Sequence, residues 1–246
     1  MYDVVKAISV AAIAITACCA LLPAGDSTLT TEEDLSEYFD VGDFQRMVGT
    51  DSPTAQLWFN RGLAMCYAFN HEEGFRCFEK AYAADPTCPM TLWGMAYALC
   101  PNINNLEIPA EQISRARMAL QLAQLSSHDS DSIDRALISA LEVRCQVSEA
   151  KDNAQRNQAY SDAMRKVYQQ FPDDPDVAAL FAESLMMLRP WKHWDHEGNA
   201  AVETPEIVRV LETAMENAPD HPALCHFYIH TMEISPTPEK ALGAAN

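Results

Sequence analysis

Two imidazoles and a carboxylate share the spacing of one helical face near the end of this 246-residue chain: His226, His230 and Glu233, in the stretch CHFYIHTMEISP. An α-helix turns by about 100° per residue, so His230 lies about 40° to one side of His226 and Glu233 about 20° to the other. Such a set can ligate a divalent metal ion, zinc or a related ion being the best chemical match. The order is not H-E-x-x-H, so the general base of a zinc protease is missing. The rival reading has the histidines bonding loop backbone or receiving a charged group of a partner. His193 and His196, in WKHWDHEG, are further candidate ligands. No Ser/His/Asp arrangement, paired-carboxylate motif or phosphate-cradling glycine turn accompanies them. No catalytic residue is therefore assigned, and no cofactor beyond a divalent metal is expected.

Something regular must position these side chains. Residues 55–88 carry Trp58, Gly62, Gly74, Phe78, Ala81 and Pro86 in the order and spacing of a tetratricopeptide repeat of about 34 residues. Small residues let two antiparallel helices approach, the aromatic fills the gap beneath, and proline closes the second helix. The same pattern, with enlarged turns, predicts an all-α, tetratricopeptide-repeat-like α-solenoid of about four and a half helical hairpins over 53–246. First helices (A) are predicted near 53–69, 88–100, 130–147, 174–188 and 221–234. Second helices (B) are predicted near 71–84, 109–126, 153–171 and 203–218. The fifth A helix has no partner in the sequence, which leaves an apolar face for another copy or for residues beyond Asn246.

In this register Phe59, Leu63, Trp93 and Tyr97 line a concave groove as an apolar wall. Arg135, Glu142, Glu183 and the His226 set supply its polar end. A trough so lined suits an extended peptide or a small amphipathic ligand. Alternatively, the aromatics pack on the acidic segment ahead of Pro53. The A-to-B turns emerge along one edge and carry Asn70 and His71, then Asn102 and Asn104, then Trp191, His193, Trp194 and His196. Turns built from aromatics and imidazoles are candidates for function; the rival reading makes the tryptophans plugs between neighbouring hairpins.

Residues 1–25 read as a signal peptide, lipoprotein leader or anchor: Lys6 precedes the apolar run AISVAAIAITA, and Ile15–Cys18 resembles a lipobox with Cys18 as the lipidated residue. Export or membrane attachment is the expectation. Residues 26–52 form an acidic linker. Formal net charge is −18, with 35 acidic against 17 basic side chains and no basic run, which argues against nucleic-acid binding. The cysteines form no C-x-x-C pair, and most read as small buried apolar residues.

YAFNHEEGFRCFEKAYAADP, TLWGMAYALCPNIN and HPALCHFYIHTMEISPTPEKAL resemble a family of tetratricopeptide-repeat proteins found largely in bacteria and some algae. The resemblance spans roughly 53–243. It implies an Asn-His turn at Asn70 and His71, a Pro-Asn turn at Pro101 and Asn102, a tryptophan-bearing loop at Trp191 and Trp194, and a tyrosine-isoleucine-histidine helix at Tyr228, His230 and Glu233. Cys100 stands where that family has glycine, and the family continues for further repeats. The resemblance implies no catalytic activity. The first expectation is a binding scaffold for a protein or peptide; the alternative is a metal-binding protein or metal-dependent enzyme using the His226 face. A third reading has the open last helix pairing with another copy of the chain.

Overall fold

The computed structural model describes residues 41–145 and 153–246. The expected leader with Cys18, and most of the acidic stretch, lie outside the described residues. The chain divides into Met1–Gly42, of which only residues 41 and 42 are described, and one compact unit, Asp43–Asn246.

Among the described residues the fold is all-α, with nine α-helices and no strand. They are α1 (Pro53–Tyr67), α2 (His71–Ala84), α3 (Pro89–Leu99), α4 (Ala110–Ser126), α5 (Ser132–Arg144), α6 (Asn153–Gln170), α7 (Pro175–Met186), α8 (Thr204–Met215) and α9 (Pro222–Met232). Each follows a predicted helix within a few residues. The starts have local causes: Ser52 and Asp174 cap the backbone N–H groups of Ala55 and Val177, and proline takes the first or second place of α1, α3, α7, α8 and α9. Among the described residues no helix is long and apolar enough to cross a membrane.

Each helix packs on the next in the chain, and alternate helices α1, α3 and α5 also touch, as do α7 and α9. Phe78 of α2 shows what the repeat spacing achieves. Its ring lies where a Cβ on Gly62 of α1, or on Gly94 of α3, would have to stand. Only glycine leaves room for the aromatic between the two helices.

The odd-numbered helices form the interior. Every residue of α3 is buried, and in α7 every residue from Asp176 to Met186 is. A helix that is apolar all round belongs inside. Helix α9 then returns to α1, where the ring of His226 meets the Tyr67 carbonyl at 2.6 Å. The packing corrects two expectations. Phe59, Leu63, Trp93, Tyr97 and Glu183 do not face an open groove: all five are buried against neighbouring helices. The apolar side of α9, from Ala223 and Leu224 to Phe227 and Met232, is covered within the chain by α1, α7, α8 and the short turn Pro238–Leu242.

The compact unit also begins before Pro53. Arg46 is buried and its Nη1 bridges Asp174 and Asp176 at 3.1 and 3.0 Å, with Asp134 at 3.8 Å from Nη2. The Asp176 carboxylate further accepts the Tyr67 hydroxyl at 2.6 Å and meets His221 at 3.2 Å. Phe44 packs edge-on against Tyr67 and His221. Arg46 and Val48 are thus buried in the compact unit, while Asp43, Gln45, Met47, Gly49 and Asp51 are exposed.

Candidate functional site

Phe69 and Trp191 are the two non-glycine residues with positive φ among the described residues, at 62° and 59°. Both stand where the backbone geometry favours glycine. Phe69 ends α1 in a Schellman turn: its N–H donates to the Cys66 carbonyl at 2.9 Å and the N–H of Asn70 to that of Met65 at 2.8 Å. Trp191 follows Pro190 in a turn closed by the Lys192 N–H donating to the Arg189 carbonyl at 3.0 Å, the place where a type II pattern asks for glycine. A left-handed conformation costs a side-chain-bearing residue about 1–2 kcal/mol. Two large aromatics carry that cost, and both rings meet one imidazole. Phe69 stacks on His230 with centroids 5.5 Å apart, and Trp191 meets it edge-on at 5.3 Å.

Helix α9 supplies that imidazole one turn above His226, and Phe69 also lies 4.6 Å from the His226 ring and stacks on Phe227. The proton positions follow from the partners. A carbonyl only accepts, so His226 Nδ1 carries the hydrogen given to Tyr67. Neutral His226 then presents a bare Nε2, which lies 2.9 Å from His230 Nε2; His230 is the donor there. His230 Nδ1 in turn faces a Glu233 carboxylate oxygen at 3.0 Å. With both nitrogens of His230 aimed at acceptors, the full network needs a second proton on that ring or one on Glu233. The result is a short relay from Glu233 through two histidines to a backbone carbonyl. Burial, more than any neighbour, holds the His226 pKa below that of an ordinary histidine; the Tyr67 carbonyl opposes this and His230 adds to it.

The turns expected along one edge meet at this place. Trp191 donates its indole N–H to the Ile103 carbonyl at 3.0 Å, tying the fourth A-to-B turn to the second. Trp194 donates to the Thr231 carbonyl of α9 at 2.8 Å. Beyond them lies an open depression of about 910 Å³ between Trp191–Ala201 and Ile234–Pro236. Gly198, at φ 84°, approaches Pro236 so closely that a Cβ would stand 2.8 Å from its ring. Trp191 is 42% exposed and Ile234 53%.

The remaining candidates have other surroundings. Asn70 caps α2 by accepting the Glu73 N–H at 3.3 Å. Asn102 accepts the N–H groups of Asn104 and Asn105, both at 3.0 Å, which fixes the second turn; Asn104 itself is exposed. His71 packs on Tyr97, and burial, with Arg144 nearby, lowers its pKa to about 4 although the Phe69 backbone favours the charged ring. His193 is buried with a bare Nε2, while His196 is exposed. Arg135 is exposed and bonds the Ser130 carbonyl; Glu142 is half-buried on α5. Glu183 pairs with buried Arg144 at 3.5 Å.

Among the described residues no group of three or more His, Cys, Asp or Glu side chains is arranged to hold a metal ion. Glu233 engages Nδ1 of His230, on the far side of that ring from the Nε2 facing His226. Sequence reasoning missed Phe69, whose only signal is an aromatic where a helix-ending glycine belongs, and Arg46, whose acidic partners Asp134, Asp174 and Asp176 lie far along the chain. Set beside protein-family models, curated proteins and solved structures, the chain matches none.

Proposed function

We propose that the chain is a tetratricopeptide-repeat-like binding scaffold that takes a protein or peptide segment at the edge formed by its A-to-B turns. The observation that carries this reading is the meeting of two left-handed aromatics, Phe69 and Trp191, on His230 beside an open depression. Backbone strain of this kind persists where the surroundings over-determine it, and it gathers at ligand clamps. Trp191, Trp194 and Ile234 offer apolar contact there, and Asp195 and Glu197 offer negative charge. A segment pairing lysine or arginine with an aromatic or aliphatic residue matches that lining, and the chain's net charge of −18 draws such a segment in.

A peptide array varying the number and spacing of basic and apolar residues tests this with the intact protein and its Trp191→Ala variant. Basic-apolar peptides are retained by the wild type, released by raised salt, and held at least tenfold more weakly by the variant. Equal retention of acidic and basic peptides, or equal retention by both proteins, overturns the reading.

One observation favours a second reading, a divalent-metal site at the His226 face. The two Nε2 atoms face each other 2.9 Å apart, and a small widening to about 3.3 Å would let them share one tetrahedral ion in place of the proton between them. Calorimetric titration with zinc and copper, beside a His226→Ala, His230→Ala double variant, separates the two readings. Metal uptake that the double variant loses supports the second reading, and equal uptake by both proteins removes it.

A further inference from the structure

Helix α3 ends at Cys100 and helix α5 ends at Cys145, and the two Sγ atoms lie 2.6 Å apart. That is closer than two sulfur atoms that merely touch. Both residues are buried, at 1% and 0% exposure, and both helices belong to the packed interior layer. Cysteines buried in cores ordinarily act as small apolar side chains, each in its own pocket. Here two from helices 45 residues apart in sequence are directed at one point instead.

We infer that Cys100 and Cys145 form a disulfide in the mature protein, tying the C-terminal ends of α3 and α5. The inference is independent of the binding reading above. Its chemistry is thiol–disulfide exchange with a small-molecule disulfide such as oxidised glutathione, or with a disulfide-bearing protein oxidant. One of the two cysteine thiolates attacks one sulfur of the oxidant, breaking the oxidant's S–S bond and releasing one thiol. The other thiolate then attacks that protein sulfur in the mixed disulfide and releases the second thiol. Two protein thiols are oxidised, one disulfide is reduced, and both protons pass to the departing thiols. Because both sulfurs are inaccessible once the helices have packed, the exchange takes place while the chain folds.

In the packed pair the hydrogen bond with Cys100, with Arg144 and Arg156 beside it, lowers the Cys145 pKa despite burial, while burial chiefly raises that of Cys100. The bond would close a loop that includes α4 and the second A-to-B turn, and loop closure of this kind stabilises chiefly by restricting the unfolded chain. An oxidising compartment agrees with the leader-like character of residues 1–25.

The test is refolding of the reduced, denatured full chain in a glutathione redox buffer, followed by alkylation, non-reducing tryptic digestion and peptide mass mapping. Cleavage at Lys80, Arg115 and Arg144 separates Cys100 from Cys145 but leaves Cys88 on the Cys100 peptide, so fragmentation of the linked peptide assigns the bond to Cys100. The expected result is one Cys100–Cys145 linked pair, a fall of about 2 Da in intact mass, and a lower melting temperature after reduction. Full alkylation of both residues after refolding overturns the inference, as does linkage of either to another cysteine. The wild-type map decides the matter even where Cys100→Ala or Cys145→Ala fails to fold.

Discussion

His226 and His230 share one proton between Nε2 atoms 2.9 Å apart, with the Tyr67 carbonyl at one end of the chain of bonds and Glu233 at the other. Adding a proton to His226 places two donors face to face and breaks the relay. His226 therefore titrates below the ordinary histidine range of about 6.5, in the direction its burial dictates. Nitrogen-detected NMR of the rings checks this, with His226 in the Nδ1–H form at neutral pH. His230→Ala raises the His226 pKa and Glu233→Gln lowers it. A His226 that titrates like a free imidazole would refute the arrangement.

Replacing Trp191 separates the cost of its backbone from the worth of its ring. Trp191→Gly and Trp191→Ala both lose the contact with His230 and the bond to Ile103. Only glycine relieves the left-handed φ, so Trp191→Gly is the more stable of the two by about 1 kcal/mol. The same ordering holds for Phe69→Gly over Phe69→Ala. Urea unfolding of the four variants reads both comparisons.

Arg46 is a single cation among three acidic residues, and its loss is felt across the whole unit. Burial works against its charge, but Asp176 and Asp174 outweigh it and hold the guanidinium charged. Arg46→Met leaves those carboxylates without their counter-ion in the interior, at a cost of about 3–5 kcal/mol. Thermal melts of Arg46→Met, and of a chain starting at Pro53, show a similar large fall. A chain starting at Pro53 that melts like the wild type would show that residues 43–52 are dispensable.

Two buried groups, His71 and Asp134, pull acid stability in opposite directions. The folded chain holds His71 near pKa 4, so the unfolded state takes up that proton first, and stability falls as pH drops from about 6.5 toward 4. Asp134 acts the other way: burial raises its pKa to about 6 against the partial opposition of Arg46, so the folded state binds that proton more tightly and stability rises as pH drops from about 6 to 4. The two contributions oppose each other in the wild type. Relative to it, His71→Gln gains stability on acidification through this window and Asp134→Asn loses it. Each slope spans on the order of 2–3 kcal/mol across the window, read by urea midpoints at several pH values.

The helices were legible because their signals are local: capping residues, prolines at first turns, and the small-aromatic-small spacing around Phe78. The edge residues were legible for the same reason, since imidazoles and tryptophans in turns stand out. What escaped was anything set by distant residues. Phe59, Trp93 and Tyr97 read as a groove wall because the register assumes an open arc; their packing on Phe78, Leu137 and His71 from other helices leaves no trace in any one helix alone. Arg46 reads as part of a linker because the three carboxylates around its guanidinium lie far along the chain. Phe69 was passed over because a helix end is searched for glycine.

The contact between α1 and α9 also constrains how such a chain can change. Open arrays of hairpins lengthen or shorten by whole units with little penalty, since each new unit meets only its neighbours. Inserting or deleting one pair here would carry His226 away from Tyr67 and separate the first turn from the last. The number of hairpins between Pro53 and Met232 is fixed by that meeting. Duplication, the ordinary way repeat proteins diversify, would have to add its copies outside it.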